Sequence, residues 1–530
     1  MGSAGEVAAT SGLLFVSRRW YDRGIRSVGD AIPWPAMSTR APVRSLSAWI
    51  ALSLTSILAL WVSGPTRAAA APSRLVVDTA VDSFDGSCSD GDCSLRDAIR
   101  SAPDGGVIDL PSGVYVLTIV GDGGVGAGDL NLRRSVTIRA TGDTGAFIDA
   151  TNLGSRAFTV GVRGVEATLR DLTIFGVHDR AIEGGSLWVD RGTLTARHVT
   201  ITGGRVASGG ALFVGPSGTA TISSSLFISN RAGSEGLGGA IVNRGTLIVR
   251  RSTLAAGRAV DGGAIWNGVG ATLTVQDSTI SDNVANDRGG GITADGTVTL
   301  RNVTVAGNES GGIGGGVARP AASANVTAVR GSIVAGNRAA DHGDECSTAL
   351  TSMGFNVERR NSCGFDAPGD LVRTDPMLTP LATHGGPTPT RALEAGSPAL
   401  DLGGSCARAD QRGAPRDDCD AGAYERVLCL GKAVDVVGTR GDDDLTGGRA
   451  RDVFLGLGGD DEFQGSLDDD RACGGGGRDR LIGGPGRDRL DGGADGDRLR
   501  GEEGRDVLDG GPAVDRCNGG PGRDLLRRCE

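Results

Sequence analysis

Apolar and polar residues alternate along the middle of the chain, from about residue 107 to residue 334. One polar residue separates Leu273 from Val275, and another separates Val298 from Leu300. A period of two predicts β-strands with one buried face. The ends of these apolar runs recur about every 26 residues, at Val177, Gly204, Asn230, Gly257, Asn283, Asn308 and Asn337. Strands repeating at this interval without helices predict an all-β fold in which each repeat forms one coil of a parallel β-helix.

A second marker, a glycine pair followed by a small and then an apolar residue, comes after each run, at 209–212, 238–241, 262–265, 289–292 and 314–317. An Asn at a coil corner is expected to hydrogen-bond to its neighbour in the next coil, and Gly204 and Gly257 suit the same corner. The markers and the FISN motif at 227–230 resemble the repeats of polymorphic outer-membrane proteins, a surface and adhesin family. The resemblance implies an exported, right-handed parallel β-helix. The autotransporter barrel of that family is not found in this sequence, so its membrane insertion is not expected.

Residues 438–527 follow a different pattern, with a repeat of nine positions that has Gly first, Asp sixth and an apolar residue eighth. Carboxylates supply the hard oxygen ligands that calcium prefers, and glycine permits tight left-handed turns. The candidate metal ligands are the aspartates Asp443, Asp452, Asp461, Asp470, Asp479, Asp488, Asp497, Asp506, Asp515 and Asp524. The candidate turn glycines are Gly438, Gly441, Gly456, Gly459, Gly474, Gly477, Gly483, Gly486, Gly501, Gly504, Gly519 and Gly522.

The repeat resembles the calcium-binding nonapeptides of RTX (hemolysin-type) proteins, and units 474–482 and 483–491 fit that pattern fully. The resemblance implies a parallel β-roll with two units per coil and Ca²⁺ in the turns, so that alternate aspartates line opposite edges. Four units lack the fourth-place glycine and have Ala450, Asp468, Asp495 or Ala513 instead. The best-formed sites are therefore expected around Asp443, Asp461 and Asp479 and around Asp488, Asp506 and Asp524. A solvated acidic linker without an ion is the alternative.

Two further stretches resemble parts of exported β-helix proteins. The string CSLRDAI at 93–99 predicts a short helix with a capping box from Ser94 to Asp97, and it resembles the CSLREA motif found near the start of such proteins. The ordered motifs at 385–390, 396–401, 410–413 and 419–425 resemble the "choice-of-anchor Q" region that closes them. An amphipathic helix at 95–102 would cover the open end of a β-stack.

Composition agrees with a thin repeat protein, because glycine is very frequent, at 90 residues, and aromatic residues make up only 4%. The net charge of −10 makes nucleic acid and anionic membranes poor partners. The 10 cysteines favour disulfides in an exported chain, whereas their irregular spacing argues against zinc. Proximity suggests the pairs Cys88–Cys93, Cys346–Cys363, Cys406–Cys419, Cys429–Cys473 and Cys517–Cys529.

Residues 37–71 have a charged start, an apolar stretch and a small-residue cleavage site, as in a secretory signal peptide. An uncleaved anchor is the alternative, and residues 1–36 are expected to be a mis-assigned start. The predicted divisions are an extension 1–36, a signal 37–71, a cap 72–106, a parallel β-helix 107–345, a closing region 346–425, a linker 426–437 and a nonapeptide roll 438–530.

Exported β-helices include polysaccharide lyases and hydrolases, which need clustered acids and bases. The nearest cluster contains Asp171, His178, Asp179 and Arg180, with His198 one coil later, and exposed turn residues are the simpler interpretation. The sequence therefore favours a secreted or cell-surface calcium-binding protein with a structural or adhesive role, acting on a surface glycan or another cell. A polysaccharide-degrading enzyme and a non-catalytic carbohydrate-binding protein are the alternatives.

Overall fold

The computed structural model describes residues 73–89, 91–121, 128–320, 325–404, 407–416 and 419–530. The predicted extension 1–36, the signal 37–71 and Cys406 lie outside these residues. Strands dominate the described part of the chain, and its one α-helix is Leu95–Ser101. The predicted all-β class is confirmed: nearly every strand pairs in parallel with a strand one repeat away.

The short helix begins at the predicted cap. Ser94 Oγ accepts a hydrogen bond from Asp97 N at 3.1 Å, and the Leu95 and Ala98 side chains are buried. The Asp97 carboxylate departs from a simple capping box, because its Oδ1 accepts the N–H groups of Asp85 and Gly86. The helix is thereby fastened to the segment before it as well as to its own first turn.

Each coil of the β-helix has four walls in chain order. The first and second walls share one 18-stranded sheet that bends at a corner, and the third and fourth walls are separate parallel sheets. The strands of the first and second walls are Arg74–Val76, Gly106–Val116, Val136–Asp149, Glu166–Arg170, Leu172–Phe175, Thr193–Arg197, Thr200–Thr202, Thr219–Ser223, Leu226–Ile228, Thr246–Arg250, Thr253–Ala255, Thr272–Ser281, Thr297–Ala306, Thr327–Arg330, Ile333–Ala335, Thr351–Ser352, Val357–Glu358 and Leu371–Val372. The strands of the third wall are His178–Glu183, Arg205–Ser208, Arg231–Ala232, Arg258–Asp261, Val284–Arg288, Glu309–Ser310 and Arg338–Ala339. The strands of the fourth wall are Leu130–Asn131, Phe158–Val160, Leu187–Val189, Leu212–Val214, Ile241–Asn243, Ile265–Asn267, Ile292–Ala294 and Val317–Ala318.

Inward side chains stack coil upon coil to form the core. On the first wall, Leu194, Ala220, Leu247, Leu273 and Val298 are paired in register and all are buried. Because each strand alternates, the residues between them face outward. The glycine markers turn the chain from the third wall into the fourth: Gly238 has φ 58°, and a Cβ at Gly239 would collide with the Gly263 carbonyl.

Buried amides form a ladder at the corner between the second and third walls, as the sequence predicts. Asn283 N donates to Asn308 Oδ1 at 3.1 Å, and Asn308 N donates to Asn337 Oδ1 at 3.0 Å. Glu345 ends the ladder by accepting Asn337 N at 3.1 Å. Burial raises the pKa of Glu345 to about 7, although its hydrogen bonds to Asn337 oppose the rise.

Residues 376–425 fold back over the outward side of the second wall. The outward hydroxyls of Thr253 and Thr279 both contact the Gln411 side chain, each at 2.7 Å, and all three side chains are buried. Ala423 N donates to Thr304 Oγ1 at 3.0 Å on the next coil. The second wall is therefore covered on these coils, whereas the outward residues of the first and third walls are half-buried or exposed.

Residues 436–527 form a narrow roll of two parallel sheets in which units n and n+2 stack, as expected. The strands of one sheet are Val436–Val437, Val453–Gly458, Arg471–Gly476, Arg489–Ala494, Val507–Asp509 and Leu525–Arg527, and those of the other are Asp444–Thr446, Glu462–Gln464, Arg480–Ile482, Arg498–Arg500 and Arg516–Asn518. A hairpin of Leu428–Cys429 and Lys432–Ala433 precedes them. Eighth-place residues such as Phe454, Phe463 and Leu490 form the single core between the sheets.

Four predicted disulfides are confirmed: Cys88–Cys93, Cys346–Cys363, Cys429–Cys473 and Cys517–Cys529. Cys419 is also disulfide-bonded. The Cys429–Cys473 bond joins the hairpin to the early coils of the roll. In the described ranges, no helix has the length and apolar character needed to span a bilayer.

We expect Asn308→Ala to lower the unfolding free energy of the β-helix by about 1–3 kcal/mol, because the buried Asn283 N–H loses its acceptor. Denaturant unfolding followed by circular dichroism measures the change. Asn286→Ala removes an exposed amide one coil earlier and serves as the control. Equal midpoints for the two variants would show that the amide ladder adds no stability.

Candidate metal sites and a candidate acid–base pair

The sixth-place aspartates of the roll form two continuous rows. In each row, Asp Oδ1 accepts the backbone N–H of the aspartate one coil earlier, for example Asp461 N to Asp479 Oδ1 at 2.9 Å and Asp470 N to Asp488 Oδ1 at 2.8 Å. Alternate units therefore place their carboxylates on the same edge, as the resemblance implies. The hydrogen bonds fix the orientation of each carboxylate and leave its second oxygen free to point elsewhere.

The second oxygen of the interior aspartates is buried and has no hydrogen-bond partner. It belongs to Asp461, Asp470, Asp479, Asp488, Asp497, Asp506 and Asp515. An unpaired buried carboxylate oxygen is costly, and native proteins normally satisfy such an atom with a donor or a cation. The same unpartnered atom recurs in seven consecutive units, so it belongs to the repeat, and its chemistry fits a cation at each turn.

First-place glycines make room for these oxygens. A Cβ added to Gly474 would collide with Asp479 Oδ2, and one added to Gly483 would collide with Asp488 Oδ2. The space beside each carboxylate therefore exists only because the repeat opens with glycine. The nine-residue period thus keeps a turn glycine next to each acidic group.

The rows are electrostatically unfavourable without a counter-ion. The pKa values of Asp461, Asp470, Asp488 and Asp497 are raised to about 7, first by burial and then by the charges of neighbouring aspartates, while backbone hydrogen bonds oppose the rise. A divalent cation would remove both causes, because it replaces the lost hydration and neutralises adjacent carboxylates.

The first units differ from the interior ones. Asp443 Oδ2 accepts Thr439 N, and Asp452 Oδ2 accepts Gly448 N, so these oxygens are already hydrogen-bonded. The sequence ranks Asp443 among the best sites and gives Asp470 and Asp497 lower rank because their units lack the fourth-place glycine. For oxygen availability the structure makes no such distinction, because the second oxygens of Asp470 and Asp497 are buried without a partner like those of Asp461 and Asp488. The ranking of the calcium sites stays a prediction.

Side chains alone do not complete a metal site in the part of the chain that the structure describes, which contains no group of three or more His, Cys, Asp or Glu suited to a metal ion. Each level of a row offers one carboxylate, so backbone carbonyls of the glycine turns must supply the other ligands. Fifth-place arginines do not neutralise the rows: Arg451 and Arg487 pair with Asp469, on the exposed surface.

The two catalytic candidates from the sequence, Asp171 and His178, contact different partners. Asp171 lies at the corner between the first and second walls, where its Oδ1 is 3.0 Å from Nδ1 of His198 in the next coil. His178 begins a strand of the third wall, and its Nε2 lies 2.9 Å from the Gly203 carbonyl oxygen. Asp171 and His198 are 27 residues apart, about one coil, and this separation is the sequence signal for their contact.

Both members of the Asp171–His198 pair have left-handed backbones, with φ of 58° and 52°. Non-glycine residues adopt this region uncommonly, and it projects their side chains outward from the corner. Arg170 is 3.9 Å from Asp171. The side chains of the pair are about two-fifths exposed, so solvent reaches both groups.

Comparisons with known proteins agree with the roll. The family model for the RTX calcium-binding nonapeptide repeat matches residues 437–472, 473–502 and 491–526. These residues are therefore RTX calcium-binding repeats. No curated protein matches the chain.

Two similar solved structures are enzymes. The chain is similar to the crystal structure of pectate lyase Pel9A, with a TM-score of 0.37, 14% identity and coverage of 67% of this chain and 97% of that chain. It is also similar to the PL6 family alginate lyase AlyGC, with a TM-score of 0.22, 11% identity and coverage of 86% and 76%.

We expect the calcium-free roll to lose stability as the pH rises from about 4 to about 7. The folded state raises the pKa of Asp461 from 3.8 to about 7, so it binds protons more tightly than the unfolded chain in this window. The free energy of unfolding is therefore greatest below the unfolded pKa of 3.8, and this contribution is lost as the pH rises through the folded pKa of about 7. Thermal unfolding of chelator-treated protein at several pH values tests this, and a midpoint that rises between pH 4 and 7 would contradict it.

Proposed function

We propose that this protein is exported to the cell exterior, where its C-terminal roll binds calcium and becomes rigid, and that it has a structural or adhesive role. The observation that supports this proposal most strongly is the run of seven buried aspartate oxygens without partners. An acidic linker would have no reason to bury its carboxylates in register or to place a glycine beside each one.

The proposed calcium ligands are the ten sixth-place aspartates together with backbone carbonyls of the turns formed by the first- and fourth-place glycines. Oxygen-only coordination of this kind suits calcium, and extracellular modules bind it with dissociation constants of about 10⁻⁴–10⁻³ M. Each bound ion would offset a buried, unpaired oxygen that costs about 1–3 kcal/mol. Calcium binding would therefore be coupled to ordering of the roll.

Export is supported by the disulfides, which persist in oxidising compartments. Four of them fasten the cap, the end of the β-helix, the hairpin before the roll and the end of the roll. The predicted signal at 37–71 would direct this export. We propose the same division of the chain as the sequence predicts, with the β-helix as the exposed rod and the roll as its calcium-dependent end.

A second candidate function is polysaccharide cleavage at the β-helix surface. The hydrogen bond between Asp171 and His198, with Arg170 beside it, favours this candidate because an oriented imidazole next to a cation is suited to proton abstraction. Its open position argues for binding without turnover, since enzymes exclude water from the reacting centre. The structural or adhesive role therefore remains the main proposal.

We expect the intact protein to bind several calcium ions at millimolar calcium concentration. When calcium is added to the calcium-free protein, the β-sheet signal in its circular dichroism spectrum should increase. Asp488→Asn should reduce the number of bound ions, because the amide keeps the hydrogen-bond acceptor but loses the charge. Glu503→Gln removes one exposed charge from the roll and should leave the stoichiometry unchanged. Equilibrium dialysis that recovers no calcium from the wild type would refute the proposal.

We expect acidic polysaccharides incubated with the protein to remain uncut, as measured by new reducing ends and by the ultraviolet absorbance of unsaturated products. Asp171→Ala, His198→Ala and His178→Ala would then leave the result unchanged. Cleavage by the wild type that disappears in Asp171→Ala and His198→Ala would instead establish the second candidate.

A further inference from the structure

We propose that the third wall of the β-helix binds a linear acidic polysaccharide along a row of three stacked arginines, Arg205, Arg231 and Arg258. This inference deepens the adhesive role proposed above by naming its ligand, and it rests on that role. We call these three residues the arginine row.

The arginine row follows directly from strand register. Arg205 pairs with Arg231, and Arg231 pairs with Arg258, on parallel strands of consecutive coils. Strands in a sheet lie about 4.8 Å apart, so the three side chains project from one line parallel to the axis of the β-helix. All three arginines are exposed.

In the part of the chain that the structure describes, no carboxylate forms an ion pair with the arginine row. The ion pairs of the described residues include none to Arg205, Arg231 or Arg258, although the chain has 64 acidic residues against 54 basic ones. By contrast, Arg288 on the same wall is paired with Asp261. Like charges directly opposite each other on neighbouring strands destabilise a sheet. A stack of three unpaired guanidinium groups is therefore unfavourable for folding and is explained by an anionic ligand that bridges the coils.

Two surface depressions lie along the same line. A shallow one of about 60 Å³ is bordered by Arg231, Arg258, Ser234 and Asn286. A larger one of about 420 Å³ lies further along the wall, where Arg338 is joined by Arg359 and Arg360.

Register connects the row to the larger depression. Arg258 pairs with Val284, Val284 with Glu309, and Glu309 with Arg338. Arg338 makes no ion pair with any described residue, whereas Arg359 and Arg360 pair with Asp375 and Asp344. The cationic track is thus interrupted by Val284 and Glu309 and resumes at Arg338, which suits an extended chain better than a compact ligand.

The geometry favours a polysaccharide over a nucleic acid. Guanidinium groups bind carboxylate and sulfate through paired N–H donors, and the coil spacing is of the same order as one sugar ring with its linkage. Proteins that bind single-stranded nucleic acid stack bases on aromatic side chains, whereas the column of the arginine row contains His178, Val284 and Glu309 but no Phe, Tyr or Trp. Duplex-binding domains are strongly basic, and the pI of this chain is about 5.1.

The first wall provides a matched control. Its outward column contains Arg197, Arg250 and Arg301, which make no ion pair with a described residue, and Ser223 and Gln276 lie between them. Arg197 also adjoins Arg170, and Arg301 adjoins Arg330. Unlike the arginine row, these neighbours have partners, because Arg170 lies 3.9 Å from Asp171 and Arg330 donates to the Met353 carbonyl. Arg197, Arg250 and Arg301 are two coils apart from one another, so no two of them are direct neighbours. Replacing them changes the net charge by the same amount as replacing the arginine row.

The test compares two triple variants of the full-length protein. The row variant carries Arg205→Gln, Arg231→Gln and Arg258→Gln, and the control variant carries Arg197→Gln, Arg250→Gln and Arg301→Gln. Fluorescence titration measures binding to dextran sulfate, to an oligogalacturonate too short to gel, to neutral dextran and to single-stranded DNA. We expect the wild type and control variant to bind at least one acidic polysaccharide and not neutral dextran. We expect the row variant to bind about tenfold or more weakly.

The two acidic polymers distinguish sulfate from carboxylate as the recognised group. The inference would be overturned if the row variant bound as tightly as the wild type, or if both variants lost binding equally. It would also be overturned if the wild type bound DNA more tightly than either acidic polysaccharide, or bound neither acidic polymer. Thermal unfolding checks the fold, and relief of the stacked charges should leave the row variant at least as stable as the wild type. Calcium uptake is measured on the same samples. Polysaccharide binding without calcium uptake would refute the proposed calcium binding and leave the polysaccharide inference intact.

Discussion

Both parts of this protein depend on the stacking of one coil upon an identical neighbour. A single coil has too few apolar side chains to bury a core, so inward residues such as Leu247 and Leu273 are covered chiefly by their counterparts one repeat away. The same parallel register brings every other equivalent position together at a spacing of about 4.8 Å. Any residue type that recurs at one position of the repeat therefore forms a row of identical side chains. Their charges and hydrogen-bonding groups lie at that spacing whether the interaction between them is favourable or not.

Three polar rows show three outcomes of this constraint. The amides of Asn283, Asn308 and Asn337 satisfy one another, because an amide both donates and accepts. The aspartates of the roll satisfy half of their capacity by accepting backbone N–H groups and leave the other half for a cation. The side chains of the arginine row can only donate, so they cannot neutralise one another. A row whose side chains satisfy one another's hydrogen bonds stabilises the fold. A row whose charges or hydrogen-bonding groups are left unsatisfied requires a ligand.

The sequence predicts the coil length, the strand alternation, the amide corner and the pairing of units n and n+2, because each follows from a period that is visible in one dimension. It also predicts four disulfides from proximity along the chain. It fails where the result depends on depth or on the corner of a coil. The sequence ranks Asp443 above Asp470, yet only Asp470 is buried without a partner for its second oxygen. Similarly, Asp171 meets His198 because a left-handed corner aligns them, and no alternation pattern records such a corner.

The Cys429–Cys473 bond has a mechanical consequence for a protein that is fixed at one end and pulled at the other. It spans a sequence separation of 44 residues, so tension entering from the roll would cross into the hairpin through sulfur and bypass the chain between the two cysteines. That segment contributes no extension as long as the bond is oxidised, and only the coils beyond it can unravel. The redox state of this disulfide therefore determines how far the roll can extend under tension.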